Sequence, residues 1–378
     1  MWQSGMRKEN TLPMLAIDHA YAVIMAGGGG TRLWPLSRKA TPKQLLKLFD
    51  GKTLFHLAVE RLEGLFSPDH ILVVTIAEQA EKLKEIAPHI PEGNYLLEPM
   101  PRGTAAVVAL AATAILKKDP DGIMVVLTAD HYIEKVNEFR EILSAGCECA
   151  DTGPLVTLGI KPTYPATGYG YIEVGEELTK FRHYPVKQVI RFEEKPNENR
   201  AIDFLKSGNY FWNSGMFIWR ADVIHKEFSK HMPELKQILS DLHLLIGIDH
   251  NSKAFSEKWQ EIKAQTIDFG IMEKAENVVV IPVEEIGWND VGFWDSLFDL
   301  MPADENGNII LGTQIHPLES KSMFVFSNEK TKMIVPLGVQ NMIIVNTPDA
   351  ILICPRGESQ KVKLLVEYLK AKDLTHFL

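Results

Sequence analysis

A short apolar run that stops at four consecutive glycines constrains this chain more than any other feature. Residues 20–26 read as a strand buried on both faces, and Gly27-Gly28-Gly29-Gly30 ends it. Glycine lets backbone N–H groups face an anion without a Cβ in the way. Thr31 and Arg32 come next, and Arg32 offers a planar fork of donors suited to phosphate oxygens. Pro42-Lys43-Gln44 adds a second cation behind a rigid turn. Two common phosphate loops do not match. GxGxxG meets Arg32 or Leu33 where its last glycine is required, and no glycine opens a GxxxxGK[ST] run. A solvated surface turn is the alternative, and four glycines directly after a buried strand argue against it.

The alternation continues downstream. From Thr53, residues Leu54, Leu57, Ala58, Leu62 and Leu65 recur at helical spacing, and only Arg61 breaks the apolar face. Thr53 fits as the N-cap of that helix. Segments 71–76, 95–97 and 123–127 read as strands, and 78–86 and the Ala-rich 105–116 as helices. Apolar strands alternating with helices predict an α/β fold with a Rossmann-like, mixed but mostly parallel sheet flanked by helices. Such sheets bind ligands at the carboxyl ends of their strands. Both the glycine run and Asp130 fall at such ends.

Strand patterns recur at 155–160, 189–192, 215–219 and 278–283, and helix patterns at 199–207, 222–240, 252–263 and 294–300. Residues 303–355 then lose helix period and become rich in Val, Ile and turn formers, before a closing helix at 359–370. The expected organisation is an N-terminal extension over 1–19, a catalytic domain over 20–302, and a small β-rich C-terminal domain with a terminal helix over 303–378. No long-period repeat is evident.

Composition excludes several classes. Lys and Arg number 40 against 49 Asp and Glu, a net charge of −9, so the basic stripe of a nucleic-acid binder is not expected. Three cysteines are too few for a disulfide framework. Cys147 and Cys149 have no second Cys/His pair nearby and read as reduced helix residues rather than a metal site. No stretch approaches the length of a membrane span, and Arg7, Lys8, Glu9 and Asp18 break up the first 20 residues, so no signal peptide is expected. The expected location is cytoplasmic.

At the glycine loop the chain resembles a known family. The run from Ala26 through Thr31-Arg32-Leu33-Trp34-Pro35-Leu36-Ser37-Arg38, followed by Pro42-Lys43-Gln44, is similar to the signature of sugar-phosphate nucleotidyltransferases, in the form of the mannose-1-phosphate guanylyltransferase branch. Further matches follow in order: Glu98-Pro99 with Arg102-Gly103-Thr104-Ala105, Ala129-Asp130-His131, and Thr167-Gly168-Tyr169-Gly170-Tyr171-Ile172. Then come Phe192-Glu193-Glu194-Lys195-Pro196, Trp212-Asn213-Ser214-Gly215, Ile267-Asp268-Phe269 with Met272-Glu273-Lys274, and Trp288-Asn289-Asp290-Val291-Gly292. The resemblance covers 20–300. Gly103 and Ala106 depart from it, where the family often has Asn and Pro.

The resemblance implies a nucleotidyltransferase that joins GTP to mannose 1-phosphate, giving GDP-mannose and pyrophosphate by direct in-line displacement. It implies Mg²⁺ held by Asp130 and Asp290, since that ion takes hard oxygen ligands and often shares them with substrate phosphates. Arg32, Lys43 and Lys195 would be the catalytic cations, with Lys195 on the sugar phosphate. Gly27, Gly28, Gly30 and Thr31 would cradle the nucleotide, and Glu98, Arg102 and Thr104 would lie at its base. Gly170, Glu194 and Asn213 would form the sugar pocket. Simpler readings stay open. Asp130 and Asp290 suit a turn or a helix N-cap, Thr104 a helix N-cap, and Glu194-Lys195 a surface pair before a proline. Tyr169, Tyr171, Trp212 and Phe217 also suit a core. Three alternatives stand beside the main reading: the same reaction with another pair such as glucose 1-phosphate and dTTP, an inactive regulatory relative, and a dinucleotide-dependent oxidoreductase. Some family members carry a fused isomerase. Here only the transferase is expected, with 303–378 expected to serve packing or homo-oligomer formation.

Overall fold

The computed structural model describes residues 16–28, 30–246 and 252–378. Of the expected extension only 16–19 is described, as a single 3₁₀ turn. The first strand, β1 (Ala20–Met25), is buried almost throughout, as a strand flanked on both faces must be. A small two-stranded ribbon follows, β2 (Lys47–Phe49) and β3 (Lys52–Thr53). Helix α1 (Leu54–Glu60) is capped by Thr53, whose hydroxyl accepts from the His56 N–H at 3.0 Å. Next come β4 (Ile71–Ile76), α2 (Ala77–Ile86), β5 (Tyr95–Glu98), α3 (Thr104–Lys118), β6 (Ile123–Thr128) and α4 (Val136–Asp151). Strand β7 (Leu155–Ile160) is followed by a long hairpin, β8 (Gly170–Phe181) and β9 (Tyr184–Glu194). Then come α5 (Glu198–Ser207), β10 (Tyr210–Arg220), α6 (Ala221–His231), α7 (Pro233–Leu242), α8 (Lys253–Gln260) and β11 (Val278–Val283).

Nine of these strands form one sheet in the order β5-β4-β1-β6-β10-β7-β11-β9-β8. Neighbours from β5 to β6, and β7 with β11, run parallel, while β10 and the β8–β9 hairpin are antiparallel. The sheet is therefore mixed and mostly parallel, as expected. Helices cover both faces. Phe139, Ile142 and Leu143 of α4 pack with Val125 and Leu127 on one side, and Ala109, Leu110 and Ile224 pack with Val126 and Trp219 on the other.

Four local expectations change. The helix after Thr53 ends at Glu60, and the chain then turns, so Arg61 is a C-cap. The segment 222–240 is two helices, because the ring of Pro233 cannot continue α6 but suits the first turn of α7. Segment 189–192 is a small part of the long β9. The stretch from Trp294 is 3₁₀, not α.

The C-terminal segment is β-rich, with β12 (Ile309–Leu311), β13 (Phe324–Ser327), β14 (Met342–Asn346) and β15 (Ile351–Pro355) before α9 (Val362–Ala371). β12, β13 and β14 stack in parallel, and single bridges Ile315↔Ile334, Leu318↔Leu337 and Lys321↔Gln340 continue the rungs between them. Such stacking is a coil with a regular advance, so a repeat is present after all. Ile315, Pro317, Leu318 and Met323 recur 19 residues later as Ile334, Pro336, Leu337 and Met342.

Cys147 and Cys149 are buried on α4 as free thiols, and burial pushes the Cys149 thiol up to about 11. Among the described residues no helix is long and apolar enough to cross a membrane.

Candidate active site

The glycine loop leaves β1 at the carboxyl edge of the sheet and is tied down from three sides. Ala26 N–H donates to Val74 O at 2.8 Å. The Ala26 carbonyl accepts from Thr75 Oγ1 at 3.1 Å and from Gln44 Nε2 at 2.9 Å. Gln44 is 3% exposed and also reaches Gly28 O and Gln79 Oε1. The Pro-Lys-Gln run thus does two jobs: its glutamine pins the loop, and its lysine reaches the Asp130 carboxylate and the Asp290 carbonyl. Gly30 has φ 43°, and a Cβ there would lie 2.5 Å from Lys43 Cβ, so only glycine lets the two turns meet. Thr31 and Arg32 begin the 3₁₀ turn that follows. Arg32 is exposed and carries no hydrogen bond or ion pair among the described residues.

A cavity of about 260 Å³ opens over this loop, lined by Gly27, Gly28, Gly30, Glu98, Gly103, Thr104 and Asp130 among others. Glu98 is 2% exposed, and Oε2 is buried without a partner. Burial pushes its carboxyl up to about 8 against the opposing pull of the Arg102 backbone N–H. A buried carboxyl with one unpartnered oxygen, beside Gly27, is suited to accept N–H groups of a base. Arg102 does not line the cavity: its guanidinium donates to Gln260 O at 2.8 Å. Thr104 lines it but is the first residue of α3, not the cap; Gly103 caps, with φ 82°. The Thr104 hydroxyl accepts from Ile267 N–H at 2.9 Å. A Cβ at Gly103 would strike Gln265 O, which explains the absence of Asn here.

A second cavity of about 240 Å³ adjoins the first through Met25, Thr104 and Thr128. Gly170, Glu194, Asn213, Asp268 and Asp290 line it. Hairpin register sets Gly170 opposite Glu194, and a Cβ on Gly170 would lie 2.6 Å from Glu194 Oε2. Glycine here makes room for a carboxylate. Asn213 Nδ2 donates to Asp268 Oδ1 at 2.7 Å, and its Oδ1 accepts from Gly215 N–H. Burial raises the Asp268 carboxyl, with Asn213 opposing. Lys195 is exposed, sits at φ 46° and pairs with Glu194.

Asp130 lines the first cavity and Asp290 the second, two residues that sequence alone could not bring together. Lys43 Nζ lies 3.0 Å from Asp130 Oδ2 and also donates to the Asp290 carbonyl. Desolvation would raise the Asp130 carboxyl, but Lys43 beside it holds it below the ordinary carboxylate value. Asp130 caps no helix, since α4 begins at Val136. Nor does Asp290: its Oδ1 accepts from Tyr169 Oη and from Gly292 N–H, both at 2.9 Å. Burial, then Asp290, drive the Tyr169 phenol far above its usual range, so it stays a donor. Val291 is held at φ 46°, with its N–H on Asn289 Oδ1 at 2.7 Å. That strained turn aims Asp290.

Tyr169 also stacks edge-on with Trp212 and Trp288. Trp288 Nε1 donates to His131 Nδ1 at 3.1 Å, and burial pushes that imidazole down to about 4, so it is neutral. The aromatics that also suit a core are thus partly site furniture. Sequence reasoning does not single out Gln44, Asp268, His131 or Arg61 as site residues; for Gln44, His131 and Asp268 the available signal is membership in the matching motifs.

The donor set suits a hard divalent ion. A Cβ on Gly292 would lie 2.6 Å from Asp290 Oδ2, so glycine keeps that oxygen accessible. Among the described residues no three His, Cys, Asp or Glu side chains could hold an ion by themselves. An ion shared by two carboxylates would draw its other ligands from water and substrate phosphates, the usual Mg²⁺ arrangement.

Comparison with known proteins agrees with this geometry. Residues 21–307 match the nucleotidyl transferase family model, and 315–369 match a MannoseP isomerase/GMP-like beta-helix domain. The chain is 39% identical over 370 residues to mannose-1-phosphate guanylyltransferase 2 of Escherichia coli O157:H7, spanning 94% of this chain and 75% of that one. It is 38% identical to a mannose-1-phosphate guanylyltransferase of Klebsiella pneumoniae, with the same coverage. A Thermus thermophilus structure described as a mannose-1-phosphate geranyltransferase superposes with a TM-score of 0.81 at 33% identity, covering 93% of this chain and 99% of that one. With the glycine loop, the paired cavities and the two aspartates in place, the chain belongs to the nucleotidyl transferase family.

Proposed function

We propose that this enzyme transfers a guanylyl group from GTP to mannose 1-phosphate, releasing GDP-mannose and pyrophosphate. The observation that carries the reading is a pair of adjoining cavities, one lined by Asp130 and the other by Asp290, with Lys43 bonded to both residues. The named activity of the bacterial relatives supports the choice of sugar and base.

The triphosphate lies over Gly27–Gly30 with its base toward Glu98 and Thr104. The carboxylate form of Glu98 accepts from both the N1–H and the 2-amino group of guanine, a pair of donors that adenine lacks. The sugar occupies the second cavity, where Glu194 accepts from hydroxyls and Lys195 meets the phosphate. That phosphate is already an anion, so no general base is needed; its oxygen attacks the α-phosphorus and pyrophosphate departs in line. Arg32 and Lys43 stabilise the charge that accumulates on the departing group. Mg²⁺, when bound by Asp130 and Asp290, supplies charge neutralisation between the two anions. Self-association through the C-terminal coils belongs to the same reading, since Leu318, Met333 and Leu337 are exposed there.

A matrix of the four nucleoside triphosphates against several sugar 1-phosphates, read by pyrophosphate release, tests this. GTP with mannose 1-phosphate should give the highest kcat/KM. A preference of about tenfold or more for another pair would overturn the assignment.

A further inference from the structure

Arg61 is the residue that interrupts the apolar pattern after Thr53, and nothing in the reaction above uses it. It is 3% exposed. A guanidinium is buried at such a position only if its N–H groups find acceptors. The two terminal nitrogens find them on one turn, while Nε is buried without a partner. Nη1 donates to His131 O at 2.8 Å and Nη2 to Thr128 O at 2.9 Å. These carbonyls bracket Ala129 and Asp130: Thr128 is the last residue of β6, and His131 lies three residues on, beyond the strand. The guanidinium lies over the Phe139 ring, 5.6 Å from its centroid. Its own anchor is fixed in turn, because Arg140 Nε donates to Arg61 O at 2.8 Å and Nη2 to Glu60 O at 3.3 Å.

We infer that Arg61 is a positioning residue whose fork holds the Thr128–His131 turn in the shape that presents the Asp130 carboxylate to a divalent cation. The inference rests on the reading of Asp130 as a cation ligand. Its physical basis is the planar fork. One rigid group that donates to two carbonyls three residues apart sets their separation, which a lysine ammonium cannot do. Groups that hold a metal ligand in place commonly change metal affinity by about 10–100-fold when removed.

The test compares the parent chain with Arg61→Lys and Arg61→Gln. Mn²⁺ binding is followed by electron paramagnetic resonance in the presence of an unreactive α,β-methylene GTP analogue, alongside kcat, KM and thermal midpoint. Both variants should bind Mn²⁺ about tenfold or more weakly and lose kcat more than KM. Millimolar guanidinium should restore Mn²⁺ affinity to Arg61→Gln saturably, while methylammonium should not. Variants of lowered thermal midpoint whose folded fraction binds Mn²⁺ and turns over like the parent would overturn the inference and leave Arg61 a packing residue. A parent chain that binds no Mn²⁺ would overturn the cation reading of Asp130, and this inference with it.

Discussion

The nine-stranded sheet and the C-terminal coils both stack parallel strands, but they use them differently. In the large sheet each parallel strand is followed by a helix or a long crossover, so the carboxyl ends open into loops of free design. Those loops carry the glycine run, Glu98 and Asp130. In the C-terminal region one rung follows the next through short turns, with no helix between β12 and β15. Its inward positions fill a core and its outward ones stay exposed, Leu318 at 56% and Leu337 at 62%. None of the site residues lies there.

The coils still touch the site, through shared packing. Leu33 and Trp34, just past the glycine loop, share one core with Trp294, Phe324, Ile343 and Val366. Arg38 donates to Phe377 O and Asp349, and Trp34 Nε1 also donates to Phe377 O at 2.7 Å. The Trp-Pro-Leu-Ser-Arg run is therefore a joint between regions. One region supplies the chemistry and the other holds the loop that follows Arg32.

Asp290→Asn attacks that division most directly and should have the largest effect. The asparagine oxygen can still accept from Tyr169 and Gly292, so the fold should survive, while kcat falls by about 10³-fold or more. Steady-state kinetics with circular dichroism would check this, and near-parental turnover would remove Asp290 from the site.

Phe324→Ala probes the joint. Phe324 is fully buried in the shared core against Trp294. The truncation should cost about 3–5 kcal/mol in denaturant unfolding. If the regions are coupled as their shared core implies, a single transition should shift. A separate early transition of the C-terminal region, with activity retained, would show that the coils are dispensable to the loop.

The smallest effect concerns Glu98 and sharpens the contrast by pH. Its carboxyl is raised from 4.5 to about 8 by burial. A raised folded value means that the protonated form favours the native state. Its contribution is complete below about pH 4.5 and fades as pH rises toward 8. Glu98→Gln removes this loss. The variant should therefore gain stability relative to the parent as pH rises from 5 to 9. A pH-independent difference in urea midpoints would contradict the raised titration of this buried carboxyl.

Legibility followed the range of the interactions. Strands β1, β4, β6, β7 and β11 could be read almost residue by residue, because continuous apolar runs between helices leave few alternatives. The glycine loop could be read because glycine followed by Arg32 is a local device. The 19-residue repeat was also present in the sequence, as Ile-x-Pro-Leu twice, but two short copies among turn residues are weak without seeing the rungs. The hairpin of β8 and β9 was only glimpsed, since its register shifts break the alternation that marks a half-buried strand.

What the sequence alone determined was the set of local devices: buried strands, a phosphate-suited loop, a Thr53 cap, and one arginine where the pattern asked for an apolar residue. Tertiary structure decided which of them act together. Asp130 and Asp290 meet at Lys43 only because β6 ends beside the turn after β11, with Tyr132 bridging Asn289. Gly170, Glu194 and Asn213 meet only through the pairing of β8 with β9 and β10. Arg61 stood out in the pattern, yet its partners are carbonyls of the 128–131 turn, and backbone groups are identical in every sequence. Periodicity reports which face of an element is buried; it carries no information on which distant backbone will arrive there, because that is set by the packing of the whole chain.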